Sequence, residues 1–126
     1  MVRVTGLNQI ETLIGDVQLQ VALDRAGEPR HVPWIVDRGA YRVVRDALAA
    51  ADSATAATVA IEYMPGALAV QVDHDGSGTD MEEIAELAAA LGGGLTAAQA
   101  PGGFRVRAWL PTEGQPPCPG ARLAVR

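Results

Sequence analysis

The amino-acid sequence predicts an α+β fold: a two-layer α/β sandwich with helices on one face of a mixed, mostly antiparallel sheet. Segments with the apolar spacing of helices alternate along the chain with segments that alternate apolar and polar residues. The strand-like segments come in pairs joined by proline-glycine turns, which indicates antiparallel hairpins. The chain has 126 residues, 48% hydrophobic and 20% charged, which suffices for one globular domain.

The first part of the chain predicts a helix, a strand and a turn. Residues 3–14 repeat apolar side chains at spacings of three and four, which is one stripe of a helix. Residues 17–24 alternate apolar and polar side chains over most of their length, as a half-buried strand does. Residues 26–29 contain glycine and proline and predict a turn. The apolar stripe of the helix consists of Leu7, Ile10, Leu13 and Ile14.

A second helix follows a predicted loop over residues 31–34, which contains a proline. Asp37 is placed to cap this helix, whose first residue is then near Arg38. We expect the helix to end near Asp52 and Ser53, after about 15 residues. Its predicted inward face consists of Ala40, Tyr41, Val44, Ala47, Leu48 and Ala51.

The second half of the chain predicts two hairpins separated by a short helix. Residues 58–63 and 67–73 form the first pair of strands, and residues 95–98 and 104–110 form the second. Between the hairpins, residues 82–91 keep helical spacing and are followed by three glycines, which predict the end of the helix. The predicted inward residues of this helix are Ile84, Leu87, Ala88 and Leu91.

These elements predict a single domain over residues 1–111. Residues 112–126 are rich in proline and glycine and predict a disordered tail. No apolar run approaches the roughly 20 residues that a membrane-spanning helix needs, and the N-terminus lacks a signal-peptide pattern. We therefore expect a cytoplasmic chain without membrane contact.

The composition excludes several kinds of chemistry. All ten basic residues are arginine, so a P-loop lysine, a Schiff-base lysine and a lysine general base are absent. Cys118 is the single cysteine, which rules out an intramolecular disulfide and a cysteine-based zinc site. The formal net charge of −5 disfavours a nucleic-acid partner.

Chemistry-bearing residues concentrate where the predicted strand over residues 67–73 ends. The segment Asp73-His74-Asp75-Gly76-Ser77-Gly78 joins carboxylates to glycines, whose backbone is permissive. A carboxylate can accept a hydrogen bond from an exocyclic amine, and the glycines let a base lie against the backbone. Taken alone, these residues fit a solvated acidic turn better than a ligand site, because short glycine motifs recur by chance.

The order of motifs along the chain resembles the ATP-binding catalytic domain of sensor histidine kinases, in the branch that feeds LuxR-type response regulators. The most specific parts are a helix sequence Y-R-V-V-x-[DE]-A-L, a D-x-G-x-G pattern after a hairpin, and an ending L-G-G-x-L…A-P-G-G-F-R-V-R-A-x-L-P. The resemblance covers about residues 5–111 and implies the Bergerat-like fold of the superfamily that also contains gyrase B and MutL.

The resemblance implies roles for residues at the phosphate end of a nucleotide site. In the family, a carboxylate on the long helix is followed four residues later by an asparagine that binds magnesium; here these positions are Asp46 and Ala50. Alanine binds no metal, so no metal site is expected. The family also has a flexible lid over the triphosphate, but here only residues 79–81 lie between Gly78 and the next helix.

The resemblance implies a vestigial pocket at the adenine end. The acid that reads the adenine matches Asp75, with Gly76 and Gly78 as the glycines of the pattern. Where the family commonly has a threonine after two glycines, this chain has Phe104. An aromatic ring at that position can point into the space that an adenine would use.

These departures predict a degenerate histidine-kinase-type domain of two-component signalling, with weak or absent ATP binding and a protein-interaction role. No cofactor is expected, and magnesium-ATP is expected to bind weakly at most. The predicted partners are a kinase dimerisation domain, a response regulator or a sigma-factor system. Two alternatives stay open: a functional ATP-binding domain that acts with a separate dimerisation module carrying the phospho-accepting histidine, and an anti-sigma-factor-like regulator.

Neither histidine is a predicted phospho-acceptor. His31 lies in a predicted loop and His74 in the glycine-rich corner, whereas the family's phospho-accepting histidine lies on a dimerisation helix. We expect both histidines to be surface or packing residues, so the chain alone is predicted to be inactive. Trp34 and Trp109 are expected to pack in the core or at an edge.

Overall fold

A computed structural model describes residues 20–28, 31–51, 54–78 and 81–114. The predicted helix over residues 3–14 lies outside these ranges, and so does the predicted tail from residue 115 onward. The described part of the chain contains seven elements in the order β1 (Gln20–Ala26), α1 (Trp34–Ala49), β2 (Ala56–Met64), β3 (Ala67–His74), α2 (Glu82–Ala90), β4 (Gly94–Ala100) and β5 (Gly103–Pro111).

The strands form one five-stranded sheet in the order β1-β2-β3-β5-β4. β1 and β2 are parallel, which requires a crossover connection, and α1 lies in that connection. The other neighbouring strands are antiparallel, and both predicted hairpins are confirmed. The predicted α+β fold with a mixed, mostly antiparallel sheet is therefore confirmed.

The hydrophobic core lies between the helices and one face of the sheet. Alternate residues of the strands are buried, as period-two patterning requires, and they pack against the apolar faces of α1 and α2. The largest fully buried side chains are Ile61, Leu68, Leu110, Val36, Val43, Val44, Val59, Val70, Val72 and Val106. Each contributes roughly 1.5–3 kcal/mol by burial, so this layer dominates the stability of the fold.

Helix α1 begins earlier than predicted. It starts at Trp34 with Pro33 at its N-cap position, and the N–H of Asp37 donates to the Pro33 carbonyl oxygen at 2.9 Å. Proline is compatible with the start of a helix, because its missing N–H would have no partner there. Asp37 therefore lies in the first turn rather than at the cap, and the helix ends at Ala49 rather than near Ser53.

The strands are longer than predicted by one or two residues at several ends, as boundaries often are. β1 begins inside the predicted strand and continues to Ala26, beyond its predicted end. Gly27 then takes a left-handed φ of 81°, and a Cβ there would clash with the Tyr63 carbonyl oxygen. Only glycine satisfies both conditions at this turn.

No helix within the described ranges is both long enough and apolar enough to cross a membrane.

Candidate functional site

The predicted adenine end lies where three strands come together. His74 is the last residue of β3, and it is in register with Ala57 at the start of β2 and with Phe104 at the start of β5. The backbone N–H of Asp75 donates to the Ala56 carbonyl oxygen at 3.2 Å, which extends the contact with β2. Asp75 therefore continues the pairing of this segment with β2 beyond the end of β3.

Asp75 is exposed, and its carboxylate binds the segment that leads into β2. One oxygen accepts the backbone N–H groups of Thr55 at 2.8 Å and Ala56 at 3.2 Å. The other accepts the Thr55 hydroxyl at 2.6 Å. These hydrogen bonds, with the Thr55 hydroxyl first, lower the pKa of Asp75 from 3.8 to about 2. The carboxylate thus fastens the end of β3 to the start of β2.

His74, one residue earlier, faces the interior instead. Its side chain is buried, and Nδ1 accepts the N–H of Gly76 at 3.1 Å. With Gly76 and Gly78 as the glycines of a D-x-G-x-G pattern, the acid position falls two residues before Gly76, which is His74. The sequence reasoning matched Asp75 and missed this position, although counting back from the first glycine would have found it.

Phe104 fills the interior beside His74. The two rings stack with centroids 5.8 Å apart and an interplanar angle of 28°. Only 8% of Phe104 is exposed, and a Cβ added to Gly78 would overlap its ring. A Cβ on Gly103 would clash with the His74 carbonyl oxygen, so glycine permits the close approach of β5 to β3 here. Gly78, which was predicted to admit a ligand, instead leaves room for the aromatic ring of Phe104.

Asp46 lies in the last turn of α1 and Ala50 at its C-cap, and both line one cavity of about 320 Å³ with the start of α2. The Asp46 carboxylate accepts from Arg45 Nε at 3.0 Å, and Arg42 Nη2 lies 3.8 Å from its other oxygen. The remaining lining residues of this cavity are Met81, Glu82, Glu83 and Ile84. Among the described residues, three with carboxylate side chains line the cavity, and no arginine or histidine does.

The structure separates the two predicted ends of the site. His74 and Asp75 line a second cavity of about 200 Å³ with residues at the start of β2, and neither Asp46 nor Ala50 contributes to it. Within the described ranges, no group of three or more His, Cys, Asp or Glu side chains could hold a metal ion. Asp46 and Asp75 thus line two different cavities.

No protein-family model and no curated protein matches the sequence. Several solved structures are similar to this chain in fold. The catalytic domain of histidine kinase ThkA is 17% identical, with a TM-score of 0.62 and coverage of 85% of this chain and 94% of that one. The ATP-binding domain of PrrB from Mycobacterium tuberculosis is 17% identical, with a TM-score of 0.55 and coverage of 88% and 93%.

The Erythrobacter litoralis EL346 blue-light activated histidine kinase is 21% identical, with a TM-score of 0.61 over 86% of this chain. The chain spans only 40% of that kinase and 61% of Acinetobacter baumannii histidine kinase AdeS, which is less than two thirds of either. At these identities the likeness concerns the fold. The chain has the fold of the ATP-binding catalytic domains of histidine kinases.

Proposed function

We propose that this chain is a degenerate histidine-kinase-type domain that has weak or no nucleotide binding and acts in two-component signalling through protein contacts. The observation that carries the proposal is the buried His74–Phe104 ring pair at the end of β3. The proposal combines a fold shared with histidine kinase ATP-binding domains with a candidate site that does not fit magnesium-ATP.

At the adenine end, the rings of His74 and Phe104 support the proposal because they occupy the interior where the resembled family places an adenine. In the resembled family an acid and a threonine serve an adenine, whereas the corresponding residues here are His74 and Phe104, paired across neighbouring strands. A stacked aromatic pair offers no carboxylate to an exocyclic amine. It also occupies the space against Gly78, and moving the Phe104 ring into water would lose roughly 1.5–3 kcal/mol of burial.

The phosphate end supports the proposal through charge. A triphosphate is strongly anionic, and the cavity beside Ala50 is lined by three carboxylate side chains. Two of them, Glu82 and Glu83, occupy the first turn of α2, where helix N–H groups could otherwise attract an anion. Asp46 already pairs with two arginines, and Ala50 offers only a methyl group in place of a metal ligand. The residues present do not fit a magnesium-triphosphate group.

A protein-interaction role is supported by the fold, which the chain keeps although its candidate site does not fit a nucleotide. The chain keeps a hydrophobic core between the sheet and the helices that is built from its own side chains. The partners we propose are a kinase dimerisation domain, a response regulator or a sigma-factor system.

Calorimetric titration of the 126-residue chain with magnesium-ATP tests the nucleotide part of the proposal. We expect no saturable heat at up to about 1 mM nucleotide, which corresponds to binding weaker than about −4 kcal/mol. A micromolar dissociation constant would contradict the proposal and favour the functional ATP-binding alternative.

A restored variant sharpens the same experiment. His74→Asp, Phe104→Thr and Ala50→Asn together return three of the residues that the resembled family uses, although not its lid, and we expect this variant to gain magnesium-ATP binding. Ala49→Asn, one residue away on the exposed face of α1, is the matched control and should gain none. Circular dichroism confirms that each variant is folded before titration.

Affinity capture from the native host tests the interaction part. Recovery of a kinase dimerisation domain or a response regulator supports the proposal. Recovery of a sigma factor or its antagonist, with neither of the former, favours the anti-sigma-factor-like alternative.

A further inference from the structure

The edge strand β4 exposes a row of backbone groups. Ala100 and Gly103 flank a two-residue turn as a register pair, so they exchange both of their backbone hydrogen bonds. Because such pairs alternate along an antiparallel ladder, the N–H and C=O groups of Leu95, Ala97 and Gln99 point away from β5. β4 is the last strand in the sheet order, so no other described strand pairs with this outer side.

This edge lacks the features that prevent pairing with another strand. Edge strands of soluble proteins are commonly protected by charged side chains, proline or bulges. β4 runs for seven residues from Gly94 to Ala100 without a charged residue or a proline. The opposite edge strand, β1, carries the exposed residues Asp24 and Arg25.

An exposed tryptophan lies beside this edge on the face of the sheet opposite the helices. Trp109 is 49% exposed and is the only large hydrophobic side chain exposed among the described residues. Its register partner on β4 is Gly94, and a Cβ added there would meet no atom within 4 Å. The space above Gly94 on this face of the sheet is therefore open.

We propose that β4 is a strand-pairing surface for a second copy of this chain. The two β4 strands pair antiparallel about a two-fold axis through Ala97, which joins the two sheets into one continuous sheet. In this register Ala97 pairs with Ala97 of the partner subunit, and Leu95 pairs with Gln99 of the partner subunit. The outward N–H and C=O groups then form about six hydrogen bonds between the copies.

A second copy fits this edge better than other strands on three grounds. The outward groups of β4 are symmetric about Ala97, so self-pairing leaves none of the three outward residues unpaired. Since the strand is uncharged, self-pairing brings no like charges together. Pairing of β4 with β1 of another copy would be head-to-tail and open-ended, whereas β4 with β4 closes as a dimer.

The interface consists of one strand pair with few apolar contacts, so it belongs to the small, weak class. We expect monomer and dimer to exchange with a dissociation constant of about 10–100 µM. The proposal rests on the geometry of β4 alone and does not depend on whether the chain binds a nucleotide.

Amide hydrogen exchange by NMR on the full chain tests the proposal directly. We expect the Leu95, Ala97 and Gln99 amides to gain about three- to fivefold protection between about 10 µM and about 500 µM protein. The Thr96 and Ala98 amides, which bond to β5, are protected at both concentrations and serve as internal controls. Protection of the three outward amides that does not change with concentration would overturn the proposal, because it would show pairing within one chain. Absence of protection at both concentrations would also overturn it.

Sedimentation velocity with a backbone variant gives an independent test. Gln99→Pro removes an outward N–H and blocks the edge, while Gln99→Ala changes the side chain and keeps the N–H. We expect the wild-type chain and Gln99→Ala to reach the mass of two chains as concentration rises, and Gln99→Pro to stay monomeric. A wild-type chain that stays monomeric, or that grows beyond two copies without a plateau, would contradict the two-fold arrangement. If Gln99→Pro does not fold, hydrogen exchange on the wild-type chain decides.

Discussion

The two ends of the candidate site differ in what occupies them. At the end of β3 the rings of His74 and Phe104 fill the interior, whereas beside α1 a cavity of about 320 Å³ stays open and is lined by carboxylates. The first end contributes to the packed core, and the second lies among exposed ion pairs. Phe104 at the first end should therefore contribute strongly to stability, while the ion pairs of Asp46 at the second should hardly affect it.

The largest expected effect is the removal of the aromatic ring at the end of β3. Phe104→Ala deletes a buried side chain and leaves a cavity, so we expect a loss of about 3–5 kcal/mol in the free energy of unfolding. Urea denaturation monitored by circular dichroism measures it. Trp109→Ala, on the same strand but half exposed, is the control and should cost less than half as much. A loss below about 1 kcal/mol for Phe104→Ala would show that the ring is not part of the core.

A smaller effect is expected from overfilling the same space. Gly78→Ala would place a Cβ within the Phe104 ring, and the ring is held by His74, so we expect a cost of about 1–3 kcal/mol. Gly94→Ala is the matched control, because open space surrounds that position. Thermal unfolding compares the two variants, and equal melting temperatures would contradict the tight packing at Gly78.

The carboxylate of Asp75 predicts a change of stability with pH. Its pKa is lowered from 3.8 to about 2 in the folded chain, so the unfolded chain binds the proton more tightly. The stabilisation is therefore fully present above about pH 4 and is lost as the pH falls towards 2. Thr55→Val removes the first of its hydrogen bonds and should make the melting temperature fall less over that range. An identical pH dependence in wild type and variant would argue against the contact.

The smallest effect is expected at the open end. Asp46 pairs with Arg42 and Arg45 on the helix surface, and exposed pairs of this kind contribute about 0–1 kcal/mol. A double-mutant cycle of Asp46→Asn and Arg45→Gln measures the coupling. A coupling above about 2 kcal/mol would mean that this end also carries stability, and the contrast between the two ends would not hold.

The hairpins and helices were predictable because they depend on neighbours in sequence. Period-two patterning and proline-glycine turns predicted both hairpins, and helical spacing predicted α2 to within one residue at its end. The start of α1 was predicted wrongly because Pro33 indicates a loop and a helix start equally well. Propensity alone does not distinguish these two uses of proline.

The site was less predictable because two adjacent residues of a strand end point in opposite directions. His74 and Asp75 differ by one position, yet one is buried against Phe104 and the other bonds to the start of β2. Only the register between β3, β2 and β5 decides which of them faces the interior. The exposure of Trp109 was equally unpredictable from the sequence, because it depends on the helices covering the other face of the sheet.

The sequence by itself determined the fold class, the two hairpins, the absence of lysine and the alanine and phenylalanine at positions where the resembled family has other residues. These features depend on composition and local pattern. The tertiary structure decided that His74 stacks on Phe104, that Asp75 serves the start of β2, and that the two ends of the site are separate cavities. Each of these depends on strand register and on which face of the sheet the helices cover, and both are set by packing between residues distant in the chain.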